Sequence, residues 1–473
     1  MTLTLSSYIH KVQTKELSPH EVIKHYLVAI QEKNPQLNAF VSIHQDYINN
    51  NISILANKPL CSAPIALKDN ILTKGHLATS CSNILTWYQA PYSATCFSKL
   101  EAQWACVLGK TNMDEFAMGT TSEFSCHGGS KNPHDITRIA GWSSWWSAVA
   151  VAADLCLWAL GTDTGWSVRF PAAMCGVVGM KQTYGRISRY GIMAMASSFD
   201  QVGTLTKTVQ DASILLKAMA GQDNFDATSV LRDDAHTRQE AFSKDIKSIK
   251  IALPTQCFGQ GCDPRIIQQV KKTVEKLQQQ GAHVEEVDMP LLPYAIAAYY
   301  TLVPAEVMSN LARYDGMRFG AQGDTGQYKS FHDYMDAIRT EYIWPEVKRR
   351  ILIGSYVLSS EHYEWYFLKA QKVRMMIKQS FDEMFKTYDL IITPTTAELA
   401  RKIGERVDDP LKMYLADIYT VPVNLAGLPA ISVPCGTINE DGTDLPLGIQ
   451  LIANQRREDT LFQVGNAIEQ MQL

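Results

Sequence analysis

The sequence predicts an α/β fold built as a single large domain, and three features of its 473 residues lead there. Between Lys250 and Val287 a short apolar strand, an amphipathic helix and a second apolar run alternate, as in a layered α/β fold. From Gly141 to Lys181 the chain is rich in Ser, Ala, Gly and Thr and almost without charge. That is the composition of a closely packed interior, not of a linker. No repeat, low-complexity tract or flexible linker divides the chain, and large α/β enzymes reach this length as one unit.

The elements follow in order. Ser18-Pro19-His20-Glu21 predicts a helix start, with Ser18 as cap, Pro19 in the first helical position and Glu21 completing a capping box. Val22, Ile23, Tyr26, Leu27 and Ile30 form its apolar face, and Asn34-Pro35 is its expected stop. Ala63–Leu67 reads as a buried strand, or the edge of one, ending at Lys68. Lys250–Leu253 is a short strand. Asp263-Pro264 opens a helix carrying Ile266, Ile267, Val270, Val274 and Leu277, with Gly281 as its stop. Val284–Val287 is the next strand, and residues 290–385 read as mostly helical. Leu390–Thr393, Ala430–Pro434 and Leu447–Ile452 are later strands, the last two separated by the turn Asn439-Glu440-Asp441-Gly442. A helix near 457–470 closes the chain.

Composition narrows the function. With 46% hydrophobic and 19% charged residues the chain is ordinary globular protein. A net charge of -4 and a pI near 6.3 imply no strongly basic face, which argues against a main role in holding nucleic acid. MTLTLSSYIHKVQTKE lacks a basic segment followed by an apolar one, so no signal peptide is expected. No apolar run approaches the ~18–20 residues of a membrane span. Ten cysteines are scattered without a Cys-x-x-Cys pair. They read as reduced, mostly buried thiols of a cytoplasmic protein, not as a metal site or a disulfide framework.

Three segments can carry chemistry. Gly161-Thr162-Asp163-Thr164-Gly165-Trp166-Ser167 sets a serine in a tight turn of small residues, where neighbouring N–H groups can face a developing oxyanion. Gly-rich serine turns are common, and this one alone decides nothing. Gly141-Trp142-Ser143-Ser144-Trp145-Trp146-Ser147 holds three serines in five residues; such clusters are usually caps, and Ser147 can cap the Ala/Val-rich helix that follows. Lys68 follows five uncharged residues. A lysine there is usually exposed or paired with a carboxylate. To act as a base it must be neutral near pH 7, against a reference pKa of about 10.4. That is a preference of about 4 kcal/mol, which desolvation can supply.

Together the three segments resemble the amidase signature family. The match lies in Ala63-Pro64-Ile65-Ala66-Leu67-Lys68-Asp69-Asn70, in the Ser143-Ser144 pair, and in Gly161–Ser167 followed by Val168-Arg169. The resemblance implies a mixed β-sheet core covered by helices on both faces, in one domain. It implies an N-terminal helical segment over about 1–60 and a signature core over about 61–210, with the remainder completing the same domain. It further implies that Ser167 is the nucleophile, Ser143 the proton relay and Lys68 the base. The backbone of Thr164, Gly165, Trp166 and Ser167 would line the oxyanion hole, and no metal takes part.

Outer segments are similar to one branch of that family, the glutaminase subunits of the glutamyl-tRNA(Gln)/aspartyl-tRNA(Asn) amidotransferases. They are Thr111–Gly119, Asn310–Gly316, Pro345–Leu352, Asp408–Tyr414 and Pro422–Pro429. In that branch an arginine and an aspartate hold free glutamine, and Arg350 and Asp417 match them. Arg350 also lies in a basic cluster that reads equally as a solvated helix face, and Asp417 as a cap or surface charge. The resemblance implies two partners, the B and C subunits of the amidotransferase. ATP, Mg2+ and most of the misacylated tRNA would be held by the B subunit, with no cofactor in this chain. A stand-alone amidase and an inactive scaffold are the alternatives.

The scaffold reading arises from tryptophan. Where the resemblance leads one to expect glycine, the chain has Trp104, Trp142, Trp145, Trp146, Trp166 and Trp344; Trp87, Trp158 and Trp365 fall where the family varies. An indole at 166 would enter the oxyanion hole, and overpacking one site costs ~1–3 kcal/mol. We read these six as glycines of a chain whose UGA codons are translated as glycine. The 28 glycines are about 6% of the residues, below the usual ~7%, and six more would restore that share.

Overall fold

The computed structural model describes residues 3–51, 58–119, 124–139, 141–230, 239–259, 261–323, 325–405 and 417–472. Its centre is an 11-stranded sheet. The strands are β1 (Phe40–Ile43), β2 (Ala63–Lys68), β3 (Ala105–Thr111), β4 (Trp158–Asp163), β5 (Val178–Lys181) and β6 (Gln201–Thr206), then β7 (Lys250–Pro254), β8 (His283–Val287), β9 (Leu390–Pro394), β10 (Ala430–Glu440) and β11 (Thr443–Ala453). They lie in the order β1-β3-β2-β4-β6-β5-β10-β11-β9-β7-β8. β2 is parallel to β3 and β4, and β7 to β8 and β9; the other pairings are antiparallel. Every residue of β2, β3, β4, β5 and β6 is buried. Successive strand residues point to opposite faces, so both faces of the sheet are covered there.

The parallel pairing of β2 and β4 fixes the site. Leu67 lies opposite Leu160, so Lys68 and Thr162 leave the sheet at the same carboxyl edge. The edge of an open α/β sheet where strands end is where ligands usually bind. The buried helix Trp145–Ala152 carries the serine cluster over this edge. Gly161 allows the approach: a β-carbon there would stand 2.7 Å from Ser144 Cβ. The chain leaves β4 through residues 164–168 and enters the helix Arg169–Cys175, which Gly176 ends in the left-handed conformation at φ +67°.

Several expectations change. Pro35 does not stop its helix, which runs Pro19–Leu37 and ends at Asn38 with φ 52°. Lying near the end, the proline removes a single ladder hydrogen bond. Ser18 makes no side-chain cap bond, so the expected capping box is not formed. The N-terminal segment is not purely helical: β1 pairs with β3. Ser147 is not a cap but lies inside its helix, where its hydroxyl donates to the carbonyl of Leu160 at 3.1 Å. The hairpin β10–β11 runs to its turn, further than the apolar cores of its strands suggested.

Candidate active site

Lys68 is wholly buried at the end of β2. Its Nζ lies 2.8 Å from Ser143 Oγ, 2.8 Å from Ser144 Oγ and 2.9 Å from Thr162 Oγ1. Burial lowers its pKa to about 7, while the charges of Asp114, Asp163 and Asp200 act in the opposite sense. A substantial fraction is therefore neutral at physiological pH, as a general base requires.

The loop after β4 carries Ser167, which is buried at 5% exposure. A forked ion pair braces it: Arg169 Nε donates to Asp163 Oδ2 at 3.1 Å and Nη2 to Asp163 Oδ1 at 3.0 Å. Burial raises the pKa of Asp163, but Arg169 outweighs it and the carboxyl stays below its ordinary value. Arg169 also donates to Gln450 Oε1 at 2.7 Å, to the Gly165 carbonyl at 2.8 Å and to the Thr420 carbonyl at 3.1 Å, tying the loop to β11. Thr164 Oγ1 donates to Asp200 Oδ1 at 2.7 Å. The N–H groups of Thr164, Gly165, Trp166 and Ser167 donate to no acceptor among the described residues. Four N–H groups in one turn are thus left without an acceptor, the donors an oxyanion would need.

Ser143 and Ser167 are not joined by a hydrogen bond. The residue before each is a tryptophan, and the rings of Trp142 and Trp166 meet with centroids 5.3 Å apart. The two loops that present the hydroxyls are thus in contact through their indoles.

Arg350 and Asp417 are both buried, and Tyr300 links them. The Tyr300 hydroxyl donates to Asp417 Oδ2 at 3.0 Å, and the Arg350 guanidinium stands over the Tyr300 ring at 6.0 Å. Arg350 Nε donates to Glu346 Oε1 at 2.9 Å. Its neighbour Arg349 is 57% exposed, so the basic cluster is split between two helix faces. Arg350 Nη2, Asp417 Oδ1 and the Tyr299 hydroxyl are buried without a partner. Unsatisfied buried polar groups are costly, and these three lie together, each with a bond left to make. Burial holds the Asp417 pKa well above that of an ordinary carboxyl. The Trp166 ring packs on Tyr299 at 5.1 Å and on Tyr300 at 6.0 Å, so this cluster adjoins the Ser167 loop.

Sequence reasoning gave no role to Ser144, Thr162, Asn70, Tyr299, Tyr300, Asp200 or the Asp163–Arg169 pair. The signal for that pair was present: two opposite charges in a segment otherwise almost free of charge. Of the outer segments, Thr111–Gly119 supplies Glu115, which accepts the Trp344 N–H at 2.9 Å and so steadies the start of the helix Pro345–Leu358 bearing Arg350. Asp408–Tyr414 lies outside the described residues.

The Amidase family profile matches residues 21–462. The chain belongs to the amidase family. It is 44% identical over 468 residues to the A subunit of the glutamyl-tRNA(Gln) amidotransferase of Lachnospira eligens, covering 97% of this chain and 96% of that one. It is 44% identical to the protein of the same name from Halothermothrix orenii, covering 99% and 97%. A crystal structure of the glutamyl-tRNA(Gln) amidotransferase A subunit from Thermotoga maritima superposes with a TM-score of 0.83 at 38% identity, covering 99% of this chain and 94% of that one.

The position of Lys68 sets a pH dependence. Its conjugate acid cannot accept a proton, so amide hydrolysis is expected to rise with pH through about 7 and to fall away below it. A pH–rate profile of kcat/KM tests this, and Lys68→Met is expected to remove the acid limb together with the activity.

Proposed function

We propose that the chain is the glutaminase component of a tRNA-dependent amidotransferase. The observation that carries this is the buried Lys68 amine 2.8 Å from Ser143. The unpartnered atoms of Arg350, Asp417 and Tyr299 beside the Ser167 loop supply a place for an amino acid. Arg350 Nη2 is a donor for the α-carboxylate of glutamine, and Asp417 Oδ1 an acceptor for its α-ammonium.

In this reading Ser143 gives its hydroxyl proton to Lys68 and takes the proton of Ser167. The Ser167 oxygen bonds to the side-chain carbonyl carbon of glutamine, and the carbonyl electron pair moves onto oxygen beside the N–H groups of residues 164–167. When the adduct collapses the C–N bond breaks. The Lys68 ammonium returns its proton through Ser143 to the nitrogen, which leaves as ammonia. Water then attacks the Ser167 ester by the same relay and releases glutamate.

The relatives are named as subunits of an amidotransferase, which supports a chain that works within an assembly. The B and C subunits of such an assembly are the proposed partners. ATP, Mg2+ and the misacylated tRNA, Glu-tRNA(Gln) or Asp-tRNA(Asn), are placed on the B subunit. No helix among the described residues is long and apolar enough to cross a membrane. A cytoplasmic location fits this reading. Assayed with both partners, the chain is expected to release ammonia from glutamine. Ser167→Ala should lower that rate about a hundredfold or more. Arg350→Lys should raise KM roughly tenfold with little change in kcat. Equal turnover of amides lacking the α-carboxylate would favour a stand-alone amidase instead, and unchanged activity of the Ser167→Ala assembly would favour a scaffold.

We further propose that the working protein carries glycine at 104, 142, 145, 146, 166 and 344. Trp104 (φ 64°) and Trp142 (φ 58°) occupy the left-handed region, which costs a side-chain-bearing residue ~1–2 kcal/mol. Trp104 stands two residues beyond the helix Thr95–Ala102, where glycine commonly ends helices. The indole N–H groups of Trp142, Trp145, Trp146 and Trp166 are buried without acceptors, at ~1–3 kcal/mol each. Trp158 is orphaned in the same way although no glycine is expected there. Nothing in the backbone at Trp344 calls for glycine. Mass spectrometry of the protein from its own cells should find glycine at the six positions, and the glycine form should exceed the tryptophan form in glutaminase activity. Tryptophan in native peptides of a fully active enzyme would overturn this.

A further inference from the structure

The three hydroxyls around Lys68 are not equivalent. Ser144 Oγ donates its single hydrogen to the Thr162 carbonyl at 2.9 Å and accepts from the Thr162 N–H at 3.1 Å. Its hydrogen is committed, so towards Lys68 Nζ, at 2.8 Å, it can only accept. Thr162 Oγ1 already accepts from Asn70 Nδ2 at 3.1 Å and takes a Lys68 N–H at 2.9 Å. Ser143 Oγ has no side-chain partner among the described residues except Lys68, at 2.8 Å.

A neutral amine has two N–H donors and one lone pair. We propose that Ser144 and Thr162 are positioning residues that each accept one N–H of the Lys68 amine, so that its lone pair faces Ser143. The proposal rests on the reading of Lys68 as base and Ser143 as relay, and names what aims the base. With the amine's two N–H groups taken by Ser144 and Thr162, Ser143 is the hydroxyl left to donate to its lone pair. Asn70 serves the same arrangement by filling a lone pair of Thr162. When Lys68 takes up the proton, its ammonium has three N–H groups for three hydroxyl oxygens, so the cage also holds the charged form. The cage is built locally: the Ser144 hydroxyl, the Thr162 main chain and Gly161 lock the helix Trp145–Ala152 to β4.

Two consequences separate aiming from mere packing. A hydroxyl acceptor favours the ammonium over the amine, so its loss should lower the Lys68 pKa while slowing proton transfer. The experiment follows the [15N]lysine Nζ signal of Lys68, identified by its absence in Lys68→Met, across pH, alongside glutaminase kinetics. In Thr162→Val the titration midpoint is expected to fall by about half a pH unit. There kcat should drop about tenfold or more, with KM within about twofold of the parent. Thr162→Ser should restore both. Ser144→Ala deletes the other acceptor and should move the midpoint the same way, which keeps the test open should Thr162→Val fail to fold. An unmoved midpoint with parental kcat in both variants would overturn the proposal. Midpoints that shift as expected in a chain that hydrolyses no glutamine would leave the cage standing and defeat the glutaminase reading.

Discussion

An amine that is wholly out of water must be met by hydrogen-bond acceptors, and at Lys68 those acceptors are hydroxyls and not carboxylates. That choice governs the chemistry of the site. A carboxylate in contact would hold the lysine as an ammonium, whereas hydroxyls allow burial to bring its pKa to about 7. Asp114, Asp163 and Asp200 raise it again but make no hydrogen bond to Nζ among the described residues. Each is buried, and Asp163 is already paired with Arg169.

The rest of the architecture keeps that arrangement in place. β2 delivers Lys68 and β4 delivers Thr162 to the same edge, while Gly161 admits Ser144 to within reach. The Asp163–Arg169 fork then bends the chain away from β4 and anchors it to β11 and to residue 420. A buried pair of this kind is poor evidence of stability, since both charges lose their water. Its value here is geometric: it fixes the turn that leaves four N–H groups free. The Arg350–Tyr300–Asp417 cluster comes from distant parts of the chain and reaches the site through the aromatic contacts of Tyr299 and Tyr300.

Much of this was legible in the sequence, for physical reasons that differ from place to place. β2 could be read because an apolar run ending in a lone lysine stands out. β4 and β5 could not, because strands buried on both faces show no alternation, and the charge-free stretch from Gly141 to Lys181 hid them together with the helix Arg169–Cys175. The end of β10 beyond Pro434 and the start of β11 escaped notice because polar residues, several of them exposed, interrupt the apolar pattern there. Lys68, Ser143 and Ser167 were found by resemblance, and the structure puts the first two in contact. That no hydrogen bond joins Ser143 to Ser167 could not be foreseen, but the tryptophans preceding both serines marked the place. Ser144 and Thr162 were missed because a hydroxyl's role depends on where its single hydrogen goes, which sequence does not reveal.

The central claim is that Lys68, through Ser143, makes Ser167 a nucleophile. Trapping the covalent intermediate tests it most directly. The chain with its partners is incubated with glutamine, quenched in acid and digested, and the peptides are weighed. A glutamyl ester on the peptide at Ser167, absent from the Lys68→Met and Ser143→Ala forms, is the result expected. Glutamate formation with no adduct on Ser167, or an adduct that persists undiminished without Lys68, would contradict it.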